Sequence, residues 1–229
     1  MIYSPSLACA NQINLERDIA ELVKCGIKWL HYDIMDGHYV PNLCFSLDGI
    51  KAIKSRFPEI VIDTHIMVTN PADYIQRLYE SGAQNVAFHS DATNFSFRLI
   101  QSIHSFGMEA GIVLNPSQSI SCLLPVIKEL DYVLIMSVEP GFAGQKFIDR
   151  TYEKVESLAQ LRKEQELNFK ISVDGGITLE VAKKLKVFGA DILILGFPAI
   201  FNQPDGISSS FLRFKMSIER EGSYEKNIY

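Results

Sequence analysis

The chain has 229 residues, 47% of them apolar and 21% charged, which is enough for a sizeable core and fits an ordinary globular protein. Its formal net charge is −5 and it has no basic run, so a nucleic-acid footprint is missing; a phosphorylated small molecule stays open, because backbone amides bind phosphate without net positive charge. The longest apolar run, 192–201, is too short to span a bilayer and contains Pro198, and the four cysteines are scattered without a CxxC pair, so a soluble cytoplasmic protein with reduced thiols and no membrane partner is expected.

Short apolar runs alternate with helical stretches. The first strand is expected over residues 2–7, with no signal-peptide pattern before it, then an amphipathic helix over 14–25 with Asn14 as its cap and Gly26 as its stop. Residues 28–34, rich in aromatic and branched side chains, read as the second strand. A loop containing Pro41 and Asn42 leads to a helix over 46–56, which Pro58 ends. Further strands are expected at 60–68, 85–88, 109–114, 132–138, 169–173 and 192–195. The helices between them are expected at 71–81, with Pro71 in the first turn, then 95–106, 119–127, 149–165 and 178–188. A last helix over 206–218 precedes a polar tail from about 219.

Eight strand-then-helix units, with strands apolar on both faces and no linker between them, predict an α/β protein built as a closed (β/α)8 barrel, one domain over 1–229. An open doubly wound sheet would carry a GxGxxG turn after its first strand, and Ser6-Leu-Ala-Cys-Ala-Asn11 has no glycine.

In such a barrel the working residues gather at the C-terminal ends of the strands. Alternate side chains of a strand share a face, so His31 and Asp33 point the same way. Alone, that pair could hold a divalent metal or merely hydrogen-bond within a core. On the third strand Asp63 and His65 again share a face, and Asp174 ends the seventh. Closure of the barrel would bring His31, Asp33, His65 and Asp174 together as four N/O ligands suited to zinc or another divalent first-row metal. Glycines follow the last three strands, in Glu139-Pro-Gly-Phe-Ala-Gly-Gln145, Gly175-Gly176 and Gly196. Loops after the last strands of a barrel commonly bind phosphate, although any one of these glycines could simply serve a turn. Asp36 and His38 read as turn residues, His89 as a satisfied histidine and His104 as a surface one. Met35, Met67 and Met136 fall at strand ends, as an apolar wall under a substrate or as plain core filler.

Over nearly its whole length the chain resembles the ribulose-phosphate 3-epimerase family. The resemblance lies in Ser4-Pro-Ser-Leu7, HYDIMDGHYVPN (31–42), DTHIMVTNP (63–71), LNP (114–116), MSVEPGFAGQKF (136–147) and VDGGI (173–177). It implies a barrel of the ribulose-phosphate-binding type and an isomerase of the pentose phosphate pathway that inverts carbon 3 of a ketose phosphate through an enediolate. The metal ligands implied are His31, Asp33, His65 and Asp174, with Asp33 and Asp174 as the acid/base pair. Ser6 and His65 are implied in substrate contact, along with Gly141, Phe142, Ala143 and Gly144, then Gly175 and Gly176, then Gly196 and Phe197. One divalent ion per subunit, zinc ahead of iron, manganese or cobalt, and a homo-oligomer are also implied.

Two departures stand out. Phe197 and Pro198 follow the last strand where the family usually has a small residue, often serine. The motifs Ser-Pro-Ser-Leu-x-Cys, Pro-Gly-Phe-Ala-Gly-Gln (140–145) and Ile-Phe-Asn (200–202) are more similar to the allulose-6-phosphate 3-epimerase branch. The family resemblance implies D-ribulose 5-phosphate as substrate, giving D-xylulose 5-phosphate, and these motifs make D-allulose 6-phosphate to D-fructose 6-phosphate the alternative. A non-catalytic sugar-phosphate-binding barrel is the reading outside enzymes. A hexulose-phosphate synthase or orotidylate decarboxylase would resemble D-x-K-x-x-D, and here Met35 stands where the lysine belongs.

Overall fold

The computed structural model describes residues 1–224. Its strands are β1 (Ile2–Pro5), β2 (Trp29–Asp36), β3 (Leu43–Cys44), β4 (Val61–Met67), β5 (Asn85–His89), β6 (Glu109–Leu114), β7 (Tyr132–Met136), β8 (Lys170–Asp174) and β9 (Ile192–Leu195). The helices are α1 (Leu15–Lys24), α2 (Leu47–Arg56), α3 (Ile75–Ser81), α4 (Ser96–Ser105), α5 (Thr151–Glu164), α6 (Leu179–Phe188) and α7 (Gly206–Tyr224). One sheet takes the strands in the order β1-β9-β8-β7-β6-β5-β4-β2-β3, and all pairings are parallel except the antiparallel β2–β3. A parallel bridge between Ser6 and His31 joins the end of β1 to β2 and closes eight parallel strands into a barrel. The expected (β/α)8 architecture is therefore present, and the two-residue β3 is an addition that periodicity could not reveal.

The strands are continuous apolar runs because both of their faces are covered. Between barrel and helices lies the main core, where α1 contributes Ile19 and Leu22, α2 Ile50, α3 Leu78, α4 Ile100 and α5 Leu158. Each such fully buried side chain favours folding by roughly 1.5–3 kcal/mol before the cost of ordering it. A smaller cluster, including Ala87, Val113, Tyr132, Leu134, Met136, Ile192 and Ile194, fills the barrel interior. The Tyr132 ring lies so close to Gly111 that an added Cβ would sit 2.5 Å from its nearest atom.

Three sequence expectations need correction. The helix expected over 119–127 is two short tight turns, Ile120–Leu123 and Ile127–Glu129, because Pro125 can neither donate a helical bond nor let its neighbour continue one. Asn14 makes no side-chain cap on α1; instead Asn11 Oδ1 accepts from the Ile13 and Asn14 N–H groups, while Asp18 Oδ2 accepts from the Asn11 N–H. The last helix continues past Ile218 to Tyr224, so 219–224 of the expected tail are helical; residues 225–229 lie outside the described residues.

Candidate active site

Parallel pairing of β2 with β4 sets His31 beside Asp63 and Asp33 beside His65. Each pair is a histidine against a carboxylate, crossed between the strands. His31 Nδ1 lies 2.9 Å from Asp63 Oδ2, and Tyr132 Oη donates to the other oxygen of Asp63 at 3.1 Å. An ionised carboxylate can only accept, so His31 carries its hydrogen on Nδ1 and turns Nε2 inward. Nε2 is 3.4 Å from Asp33 Oδ1 and 3.9 Å from Asp174 Oδ2. His65 Nδ1 lies 3.3 Å from the same Asp33 oxygen. Ser6, which closes the barrel, donates through Oγ to Asp33 Oδ2 at 2.8 Å.

One donor atom from each of His31, Asp33, His65 and Asp174 lies within 4.8 Å of all the others. Among the described residues, His31 Nε2 and His65 Nδ1 are buried and have no hydrogen-bond partner. Two inward nitrogens lacking partners, facing two carboxylates, form a donor set that fits a divalent cation such as zinc. The sequence-predicted ligand set is thus brought together, and it could hold a metal ion. Strand alternation alone places Asp63, the partner of His31, only on the same face as His65. The alternation His31-x-Asp33 on one strand and Asp63-x-His65 on its neighbour was the signal for crossed pairs.

Burial works against a charged His31 ring, but Asp33 and Asp63 outweigh it and hold its affinity for a proton well above the usual histidine range. A proton on Nε2 would occupy the place of a cation, and coordination there would release it. Burial pushes Asp33 up, yet His31 and His65 beside it leave its carboxyl well below the usual range. Asp174 behaves oppositely: burial outweighs the lowering by His31 and, helped by the negative charge of Asp33, pushes it up to about 6. His89 is held well below the usual histidine range by burial and by His65 next to it.

Above the four lies a cleft partly open to solvent. Ser6, Asp33, His65 and Asp174 line it, as do the three expected glycine loops, Gly141 to Gly144, Gly175-Gly176 and Gly196-Phe197. His31 is fully buried beneath. Met35, Met67 and Met136 line the same cleft, as the apolar wall the strand ends suggested. Gly176, with φ +59°, lies where a Cβ would be 2.6 Å from the Phe147 backbone nitrogen, so only glycine lets the two loops meet. Cys9 also lines the cleft, and burial pushes its thiol up to about 12, which keeps it protonated and unreactive at neutral pH.

After β9 the chain makes one wide turn, Phe197–Phe201. The N–H groups of Ala199, Ile200 and Phe201 all point at the Gly196 carbonyl, at 3.3, 3.1 and 3.5 Å. Pro198 has no N–H and the next three amides are turned to the Gly196 carbonyl, so an anion here would not meet the amides of residues 198–201.

The remaining candidates stay outside the chemistry. Asp36 accepts from the N–H groups of His38, Tyr39 and Thr69 as the organiser of a turn, and His38 is exposed. His104 pairs with Asp131 at the surface.

The family model described as "Ribulose-phosphate 3 epimerase family" matches residues 2–201. The chain belongs to that family. The ribulose-phosphate 3-epimerase of Treponema pallidum is 38% identical over 193 residues, 84% of this chain and 88% of that one. That of Aquifex aeolicus is 35% identical over 204 residues, 89% of this chain and 91% of that one. Family membership makes the chain an isomerase acting on carbohydrates, by the names these relatives carry. Among solved structures, the 3-hexulose-6-phosphate synthase of Salmonella typhimurium has a TM-score of 0.70, covering 96% of this chain and 99% of that one. At 14% identity it shares the barrel only. Among the described residues no helix is long and apolar enough to cross a membrane.

Proposed function

We propose that this chain is a metal-dependent ketose-phosphate 3-epimerase that interconverts D-ribulose 5-phosphate and D-xylulose 5-phosphate. The observation that carries the proposal is the pair Asp33 and Asp174, both within 4 Å of His31 Nε2, at the floor of a cleft whose glycine loops suit a phosphate.

Inverting carbon 3 requires a proton to leave one face of the sugar and another to arrive on the opposite face, so two acid/base groups must flank that carbon. Asp33, kept ionised by His31 and His65 and oriented by Ser6 Oγ, is the base in one direction. Asp174, pushed up to about 6, holds a proton far more readily and returns one to the other face. In the reverse direction the roles exchange. Zinc, or iron, manganese or cobalt in its place, held by His31, Asp33, His65 and Asp174, would stabilise the negative charge that develops on the sugar oxygens and would lower both carboxyl pKa values. Phosphate anchoring at Gly175-Gly176 and Gly196-Phe197 fixes the sugar through contacts remote from the reacting carbon. We place the enzyme in the cytoplasm, as a single-domain homo-oligomer.

The test compares turnover of D-ribulose 5-phosphate and D-allulose 6-phosphate by protein stripped of metal and reloaded with one equivalent of zinc. Faster turnover of the pentulose supports the proposal, and faster turnover of the hexulose moves the substrate to the alternative. Binding of both sugars with no turnover of either leaves only a sugar-phosphate-binding barrel.

A further inference from the structure

The two histidines of the site are held from behind in different ways. His31 leans on a carboxylate, Asp63. Behind His65 stands a third imidazole: its Nε2 lies 2.8 Å from Nε2 of His89, and both rings are fully buried. At that separation one nitrogen carries the hydrogen and the other is bare. His65 Nδ1 faces the site and must be bare to meet a cation, so the hydrogen sits on Nε2 and His89 Nε2 accepts it. That places His89's own hydrogen on Nδ1. His89 Nδ1 and Asn115 Oδ1 are both buried without a partner, one in need of an acceptor and the other of a donor, and Asn115 is within reach of the ring. Asn115 is anchored in turn: its Nδ2 donates to Tyr39 Oη at 2.9 Å, and Tyr39 Oη donates to Asp91 at 2.8 Å. The Tyr39 ring packs on His89, with centroids 4.5 Å apart.

We propose that His89 is a positioning residue for the metal centre: it accepts the His65 Nε2–H, fixes the ring with Nδ1 bare and inward, and is itself packed against Tyr39, which Asn115 anchors. The proposal rests on the reading of the four residues as a metal site. Partners of this kind typically change metal affinity 10- to 100-fold when lost.

The experiment measures zinc affinity of the purified full-length protein by competition with a chromophoric chelator. His89→Leu fills similar space but leaves the His65 Nε2–H without an acceptor, and zinc binding is expected to weaken roughly 10- to 100-fold. His89→Gln keeps an acceptor oxygen and should return affinity to within about threefold of the parent, which a purely packing role would not produce. A folded His89→Leu protein that binds zinc as the parent does overturns the proposal. A parent protein that binds no zinc overturns instead the metal reading beneath it. Should His89→Leu not fold, the ring-nitrogen NMR spectrum of the zinc-loaded parent decides: His89 protonated on Nδ1 is expected, and protonation on Nε2 overturns the assignment.

Discussion

Asp33 and Asp174 both approach His31 Nε2, at 3.4 and 3.9 Å, yet their surroundings pull their protons in opposite directions. That difference arises from neighbours: Asp33 touches both inward histidines and the Ser6 hydroxyl, while Asp174 touches one histidine, at longer range. Replacing Asp174 by asparagine removes the proton carrier while keeping nearly the same shape. Exchange of the carbon-3 proton should fall by at least ~10²-fold, with the melting temperature within a few degrees of the parent. An unchanged exchange rate would remove Asp174 from the mechanism. The principal site residues were legible in the sequence because strand alternation sorts side chains by face and a barrel gathers strand ends. Asp63, His89 and Asn115 were not legible in their roles. What a buried imidazole leans on depends on register and ångström distances, and neither is written in the spacing of one strand.

Elements set those distances. The β2–β4 register pairs His31 with Asp63, and Tyr132 on β7 reaches Asp63 across the barrel because Gly111 on β6 leaves room for its ring. Gly111→Ala would put a methyl group 2.5 Å from that ring. We expect a loss of about 1–3 kcal/mol in urea unfolding together with weaker zinc binding, as Tyr132 is displaced from Asp63. A stability loss without any change in zinc affinity would uncouple this strand contact from the site. At the end of β2 Asp36 ties its own turn to Thr69 after β4. Partial burial works upward there, but the N–H groups of Thr69, Tyr39 and His38 hold the carboxyl down to about 2. A carboxyl depressed in the folded state stabilises above its ordinary range, near pH 4, and that contribution is lost as pH falls toward 2. Allowing for solvent screening at this exposed site, Asp36→Asn should cost about 1 kcal/mol at pH 7 and roughly half that at pH 3. Equal differences at both pH values would contradict the sign. Most element positions could be read from apolar periodicity and from Gly and Pro. Segment 119–127 departs from the expected helix because its apolar spacing suits a helix while Pro125 forbids one.

At the scale of the molecule the site depends on closure. Asp174 on β8 lies some 140 residues from Asp33, and only the ring of eight strands, sealed between Ser6 and His31, sets them against one histidine. A cation bound there joins β2, β4 and β8, so it should stabilise the whole barrel. With free zinc about a thousandfold above its dissociation constant, the folded state gains ~4 kcal/mol. For a chain of this size that is a rise of roughly 8–16 °C in melting temperature, reversed by a chelator. No rise would argue against a cation at this centre. The most direct test of the central claim follows carbon 3 itself, by proton NMR of D-ribulose 5-phosphate in D2O with the zinc-loaded protein. The account predicts that the carbon-3 proton signal disappears as D-xylulose 5-phosphate forms, at a rate that collapses in Asp174→Asn. Retention of the carbon-3 proton with no xylulose formed, by protein shown to carry zinc, would contradict it.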